Sequence, residues 1–207
     1  MNKEELLKSL KQQGFSNFIL RGFSKVKRED FVPDYLENRA YEDTALSIGA
    51  GQTISQPYTI AEMLSLLELK KGLKVLEIGS GCGYVLALLS LIIGEKGEVF
   101  GVEIVKELYE KSKINLEEYQ NVKVYNKNGF RGLKEKTPYD RILISAGLKK
   151  IPEEILNQLK EGGIIVAPVG EEYEQSLTKI QRVKNNFVTK KEIPGFVFVP
   201  FVSIPKK

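Results

Sequence analysis

The period of the apolar positions changes several times along the chain, and each change marks an element. MNKEELLKSLKQQG (1–14) mixes apolar and charged residues at helical spacing, and Gly14 stands where such a helix ends. The first 50 or so residues read as helical and polar throughout. From Pro57 a second helix is predicted, because Ile60, Met63, Leu64 and Leu67 fall at i, i+3, i+4 and i+7. Strands and helices then alternate. LKVLEIG (73–79) reads as a buried strand, YVLALLSLII (84–93) as a helix, GEVFGVE (97–103) as a strand and IVKELYEKSKINLEEY (104–119) as a helix. NVKVYN (121–126) and YDRILISA (139–146) are strands, IPEEILNQL (151–159) a helix and GGIIVAPVG (162–170) a strand. Three short β runs follow: SLTKIQRV (176–183), NFVTKKEI (186–193) and FVFVPFVSI (196–204).

Repeated strand–helix–strand units with almost continuously apolar strands predict an α/β fold. Its core is a Rossmann-like, doubly wound, mostly parallel sheet covered by helices on both faces. One domain is expected over 1–207, with a helical and loop segment at 1–56, the core at 57–170 and a β-rich end at 171–207. The longest apolar run, VLALLSLIIG (85–94), falls short of the roughly 18–20 residues of a membrane span. The N-terminal stretch is charged and has no apolar secretion core, so a cytoplasmic protein without a membrane partner is expected.

Composition narrows the chemistry. With 42% hydrophobic and 28% charged residues the chain is an ordinary globular one. It contains no histidine, which removes the usual general base and the Ser-His-Asp triad. Its single cysteine, Cys82, excludes an intrachain disulfide and a multi-cysteine zinc site. No cluster of acids suggests a metal. The net charge of +4 is spread as interleaved Lys and Glu rather than a stripe, so nucleic acid is not expected as a partner and a monomer is.

The strand-to-helix turn at 79–83 reads Gly-Ser-Gly-Cys-Gly. In a sheet of this kind the first such turn holds the cofactor, and its glycines admit backbone amides close to the ligand. The spacing G-x-G-x-G lacks the third glycine of a dinucleotide fingerprint, and Glu77 lies two residues ahead of Gly79. That anion would repel a pyrophosphate but suits the sulfonium and ammonium of S-adenosylmethionine. Glu103, about twenty residues on at the end of the next strand, is placed to accept ribose hydroxyls. Glu77, Gly79, Ser80, Gly81, Gly83 and Glu103 are therefore candidate cofactor residues of an S-adenosylmethionine-dependent methyltransferase fold. Asn128 and Gly129, after the third strand, fall where such folds often carry an acid for the adenine amino group. They read equally well as an Asn-Gly turn.

An acceptor that is already an anion at neutral pH needs no base, which suits a chain without histidine. Sequence stretches carry the point further. FVP (31–33), AYEDTALSIGAGQTISQP (40–57), VLEIGSGCGY (75–84), YDRILISAG (139–147), IPEEILNQLKEGGIIVAPVG (151–170) and FVFVPF (196–201) resemble the protein-L-isoaspartate (D-aspartate) O-methyltransferases over nearly the whole length. GQTISQP is the most specific of them. The resemblance implies methyl transfer from S-adenosylmethionine to isoaspartyl and D-aspartyl carboxylates of damaged proteins. It also implies that Ser55 lies beside the transferring methyl and orients the acceptor, with Thr53 and Ile54 walling the pocket. By local rules alone Ser55 is as well explained as a helix-entry residue. Two alternatives stay open: an RNA methyltransferase, suggested by the basic net charge, and a non-catalytic cofactor-binding relative, suggested by Tyr58 and Asn128, which depart from the family pattern. Gln175 is a further polar candidate near the cofactor.

Overall fold

The computed structural model describes residues 1–201 of the chain. Its centre is a seven-stranded sheet of β3 (Lys74–Ile78), β4 (Glu98–Glu103), β5 (Val122–Asn126), β6 (Tyr139–Ile144), β7 (Leu159–Glu171), β8 (Glu174–Val183) and β9 (Asn186–Phe196), ordered β5-β4-β3-β6-β7-β8-β9. β3 to β7 run parallel, and β8 and β9 return antiparallel. Side chains alternate across the strands and divide the core in two. Val75, Val99, Leu143 and Ile164 face the side carrying α1 (Lys3–Gln12), α2 (Asn17–Lys25), α3 (Pro57–Leu66), α4 (Tyr84–Ile93) and the buried Leu108 of α5 (Lys106–Asn115). Leu76, Phe100, Ile142 and Ile165 face the other side, covered by α6 (Glu153–Leu156) and by turns carrying Leu133 and Ile151. Both faces are covered, as the pattern predicts, but unequally.

The strands and α3 and α4 form where the apolar pattern places them. Three segments differ. The helix expected over 151–159 shrinks to four residues, capped by Pro152 at its start and Asn157 at its end. The buried Gln158 amide accepts from Leu133 N–H and donates to the Arg131 and Glu154 carbonyls, so the chain there is tied to its neighbours rather than to its own next turn. The helical segment before residue 57 ends early. After two 3-10 turns at Arg28–Phe31 and Asp34–Arg39 it becomes a hairpin of β1 (Leu46–Gly49) and β2 (Gln52–Ile54). Its bend is three successive left-handed residues, Gly49, Ala50 and Gly51, and glycines on either side make that affordable. The strand expected over 196–204 does not form within the described residues. Beyond Phe196 the chain leaves the sheet and crosses its edge, with Gly147 N–H donating to the Val199 carbonyl (2.9 Å) and Phe201 N–H to the Gly147 carbonyl (2.8 Å). Residues 202–204 of that prediction lie outside the described residues. No helix among the described residues is long and apolar enough to cross a membrane.

Candidate active site

The strand order reverses beside β3: its chain continues to β4 on one side, while β6 joins on the other. Ligands of open α/β sheets bind at the carboxyl ends of strands at such a point. The Gly79–Gly83 turn stands there, with Gly79, Gly81 and Gly83 all at positive φ. Glu103, at the end of β4, reaches across to it. One carboxylate oxygen accepts from Gly81 N–H at 2.7 Å and the other from Val105 N–H at 2.8 Å. The acid thus braces the turn with two charge-assisted bonds and keeps its remaining lone pairs toward the cleft. Gly129 forms part of the same cleft and lies so close to Ile78 that an added Cβ would overlap the Ile78 Cγ2 methyl.

Behind the turn lies Glu77, 1% exposed. Its Oε1 accepts from Ser145 Oγ at 2.7 Å, while its Oε2 has no partner. Burial raises its pKa to about 8; the Ser145 hydroxyl opposes the shift and neighbouring Glu103 adds to it. Burial also raises Glu103, against backbone N–H donors that favour its charge. A buried carboxylate with an unused oxygen, beside a cleft whose lining carries Glu103 and no lysine or arginine, fits a cationic ligand. It does not fit a pyrophosphate. Ile104, Val199 and Phe201 supply the apolar wall a nucleoside base needs.

A pH dependence follows. The ordinary carboxyl value is near 4.5, so between there and about 8 the folded protein holds the Glu77 proton that the unfolded chain has released. Stability of the ligand-free protein is expected to fall as pH rises through that window, by at most about 1.4 kcal/mol per pH unit. Glu77→Gln should flatten the slope, leaving the smaller contribution of Glu103. Urea unfolding at pH 5, 6.5 and 8 measures it, and parallel slopes for the two proteins would refute the assignment.

The other expected cofactor residues sit as follows. Ser80 is buried, faces Gly101 and leaves its Oγ unpartnered away from the cleft, so its backbone is what the turn contributes. Gly83 precedes α4 and packs against Leu116, where a Cβ would collide. Asn128 caps the 129–131 turn, its side chain accepting from Phe130 N–H at 2.9 Å, and Gly129 rather than Asn128 lines the cleft. Cys82 is buried with its thiol pushed up to about 11 by burial, which suits a filler of the turn and not a nucleophile.

A second cavity, of about 590 Å³, opens beside the first and is lined by Thr44, Ser55, Gln56, Tyr58 and residues 193–199. Thr53 and Val199 line both, so the two cavities meet there. Ile54 does not wall this cavity: it is 4% exposed, with its side chain turned into the core, because β2 alternates and Thr53 takes the outward position. Ser55 is not a helix cap. The cap position of α3 is Gln56, without a side-chain bond, and the Ser55 carbonyl accepts from Arg28 Nη2 at 2.9 Å. Tyr58 packs edge-on against Phe15, with ring centroids 5.7 Å apart, and its N–H donates to Asp43 Oδ1. Gln175 is a staple rather than a cleft residue: its side chain accepts from Phe198 N–H and donates to the Glu171 and Glu172 carbonyls.

Sequence reasoning missed Gln52, Ser145, residues 199–201 and Arg28. Ser145 could have been found, since it directly follows an apolar strand at the carboxyl edge where ligands bind. The 199–201 segment gives no local signal, because only the folded chain brings it over the cleft.

The sheet order, the glycine turn at the switch point and the acids at the ends of β3 and β4 define an S-adenosylmethionine-dependent methyltransferase of Rossmann-like fold. The comparisons specify it further. The family model described as "Protein-L-isoaspartate(D-aspartate) O-methyltransferase (PCMT)" matches residues 1–206. A protein-L-isoaspartate O-methyltransferase of Methanothrix thermoacetophila is 43% identical over 98% of this chain and 95% of its own. A solved protein-L-isoaspartate O-methyltransferase is 33% identical with a TM-score of 0.89, covering 96% of this chain; this chain spans 65% of its length. A solved structure from Plasmodium falciparum, in complex with S-adenosyl-L-homocysteine, is 26% identical with a TM-score of 0.84 and covers 98% of this chain and 99% of its own. The chain belongs to the protein-L-isoaspartate (D-aspartate) O-methyltransferase family, whose members methylate damaged proteins from S-adenosylmethionine.

Proposed function

We propose that the chain methylates L-isoaspartyl and D-aspartyl carboxylates with Ser55 as the residue that orients the acceptor, at the junction where Thr53 separates two cavities. That junction carries the reading. S-adenosylmethionine, when bound, supplies a methyl group on a positively charged sulfur. The chain's own residues do the rest. The glycine turn at 79–83, braced by Glu103, lets the cofactor approach its backbone closely, and the Glu103 carboxylate together with the buried Glu77 behind the turn holds the donor side, with Gly129 beneath the base and Asn128 shaping the turn around it. Thr53 and Ser55 hydroxyls supply neutral donors to the acceptor carboxylate, and the 197–201 segment keeps water from the junction. An ionised carboxylate attacks without a base, so positioning and desolvation carry the step. Ile54 acts from the core by fixing the register of β2.

The decisive experiment supplies labelled cofactor with an isoaspartyl peptide and with its normal aspartyl twin. Label on the first alone is expected, and equal or absent labelling of both would sink the reading. Ser55→Ala is expected to lower kcat about tenfold to a hundredfold while S-adenosylhomocysteine affinity stays within about twofold, the loss of one or two oriented hydrogen bonds. Calorimetry beside steady-state kinetics separates the two quantities. We further read the protein as a cytoplasmic monomer that acts on proteins and not on nucleic acid. The interleaving of Lys and Glu along the sequence, with pairs such as Lys113–Glu110 and Lys149–Glu171 on the surface, supports that reading.

A further inference from the structure

Arg28 is fully buried and heads the large fully buried side chains among the described residues. Nothing in its surroundings, KVKRED, distinguishes it from a surface lysine run. Burying a guanidinium is costly unless its donors are used, and packing alone would be served by leucine or methionine. Arg28 directs Nε and Nη2 at backbone carbonyls, while its buried Nη1 has no hydrogen-bond partner among the described residues. Nε donates to the Ala40 carbonyl at 2.7 Å, and Nη2 donates to the Ser55 carbonyl at 2.9 Å and more weakly to that of Thr44. Its plane lies over the Tyr84 ring, 5.0 Å from the centroid, and Tyr84 is the first residue after the cofactor turn. One side chain therefore joins the donor turn to the acceptor loop.

The bond to Ser55 has a geometric consequence. In a trans peptide the carbonyl of one residue and the N–H of the next point in opposite directions. With the Ser55 carbonyl drawn inward to Arg28, the Gln56 N–H points outward. Ser55 and Gln56 both line the acceptor cavity. No group among the described residues accepts from the Gln56 N–H. Pro57 has no N–H, and the N–H of Tyr58 is held by Asp43, so the Gln56 amide is fixed from both sides. The cavity lining has no lysine or arginine, so an anionic acceptor depends on neutral donors.

We propose that Arg28 is a positioning residue: by holding the Ser55 carbonyl inward it aims the Gln56 N–H into the acceptor cavity, where that amide donates to the isoaspartyl carboxylate. The inference rests on reading this cavity as the acceptor site. Wild-type protein saturated with S-adenosylhomocysteine is titrated with an isoaspartyl peptide and followed by amide NMR. The Gln56 proton should shift downfield and its hydrogen exchange slow by about tenfold or more, as for a bond to a charged acceptor. Arg28→Lys retains the charge but not the fork, and should raise the peptide KM about tenfold while leaving S-adenosylhomocysteine affinity within about twofold. A purely structural role would lower apparent kcat and the number of S-adenosylhomocysteine sites in step with the folded fraction and leave the peptide KM unchanged.

A Gln56 amide that stays unmoved while Thr53 and Ser55 respond to peptide overturns the inference, as does a folded Arg28→Lys with unchanged peptide KM. Should that variant not fold, the wild-type titration decides alone. Ser55→Val isolates the underlying assumption: if it leaves peptide KM unaltered and no residue of this cavity responds to peptide, the acceptor reading itself fails.

Discussion

Glu103→Ala is expected to weaken S-adenosylhomocysteine binding about a hundredfold while moving the peptide KM by less than about threefold. The size follows from what the carboxylate does in the empty protein and what it is placed to do in the loaded one. Its two oxygens already hold Gly81 N–H and Val105 N–H, so alanine frees the turn that must stay formed. On the proposed reading it also removes the acceptor for the ribose hydroxyls. Each charge-assisted bond is worth about 1.5–3 kcal/mol, and losing the equivalent of one to two of them gives roughly two orders of magnitude in affinity. Glu103→Gln separates the two duties. An amide oxygen still braces one amide of the turn, so an intermediate loss of about tenfold is expected. Isothermal titration gives both values. If alanine costs no more than glutamine, the brace is irrelevant and only charge counts.

Gly129→Ala should damage both stability and cofactor binding. Its Cβ would occupy the space of the Ile78 Cγ2 methyl, and Ile78 lies on a buried central strand that packs on β4 and β6. Neither side yields easily, so about 1–3 kcal/mol of stability is expected to be lost to overpacking. The displacement also lifts the floor of the cofactor cleft, and S-adenosylhomocysteine affinity should fall at least about tenfold in the molecules that remain folded. Gly162→Ala serves as the control, since nothing lies within 4 Å of its added Cβ although its φ of +73° carries a modest strain. Thermal melts with and without ligand measure both effects. A Gly129→Ala protein that melts no lower than Gly162→Ala would mean that the Ile78 contact gives way without cost.

The sheet was legible because buried parallel strands are apolar on both faces, and runs such as VLEI and RILI carry that signature without long-range help. The cofactor turn was legible as residue type at spacing: glycines where backbone must bend sharply, and acids at strand ends. What was hidden depends on contacts far apart in sequence. The hairpin at 46–54 has strands of four and three residues, too short for a period to register. Arg28 and Ser55 are twenty-seven positions apart, and only the fold shows that one holds the other. Ile54 was placed in the pocket by its neighbours in the motif, although alternation along an extended strand sends it to the opposite face. The family resemblance identified the stretch as a unit, and the strand geometry sorted its members.

Thr53 and Val199 belong to both cavities at once. Substitutions there therefore cannot be selected for one ligand without altering the other, and double-mutant cycles between those positions and the cofactor contacts will be non-additive. Ser55, Gln56 and Tyr58 line the second cavity and not the first. On the proposed reading, a redesign for another carboxylate would vary residues confined to the second cavity, such as Tyr58, and leave the two shared positions as they are.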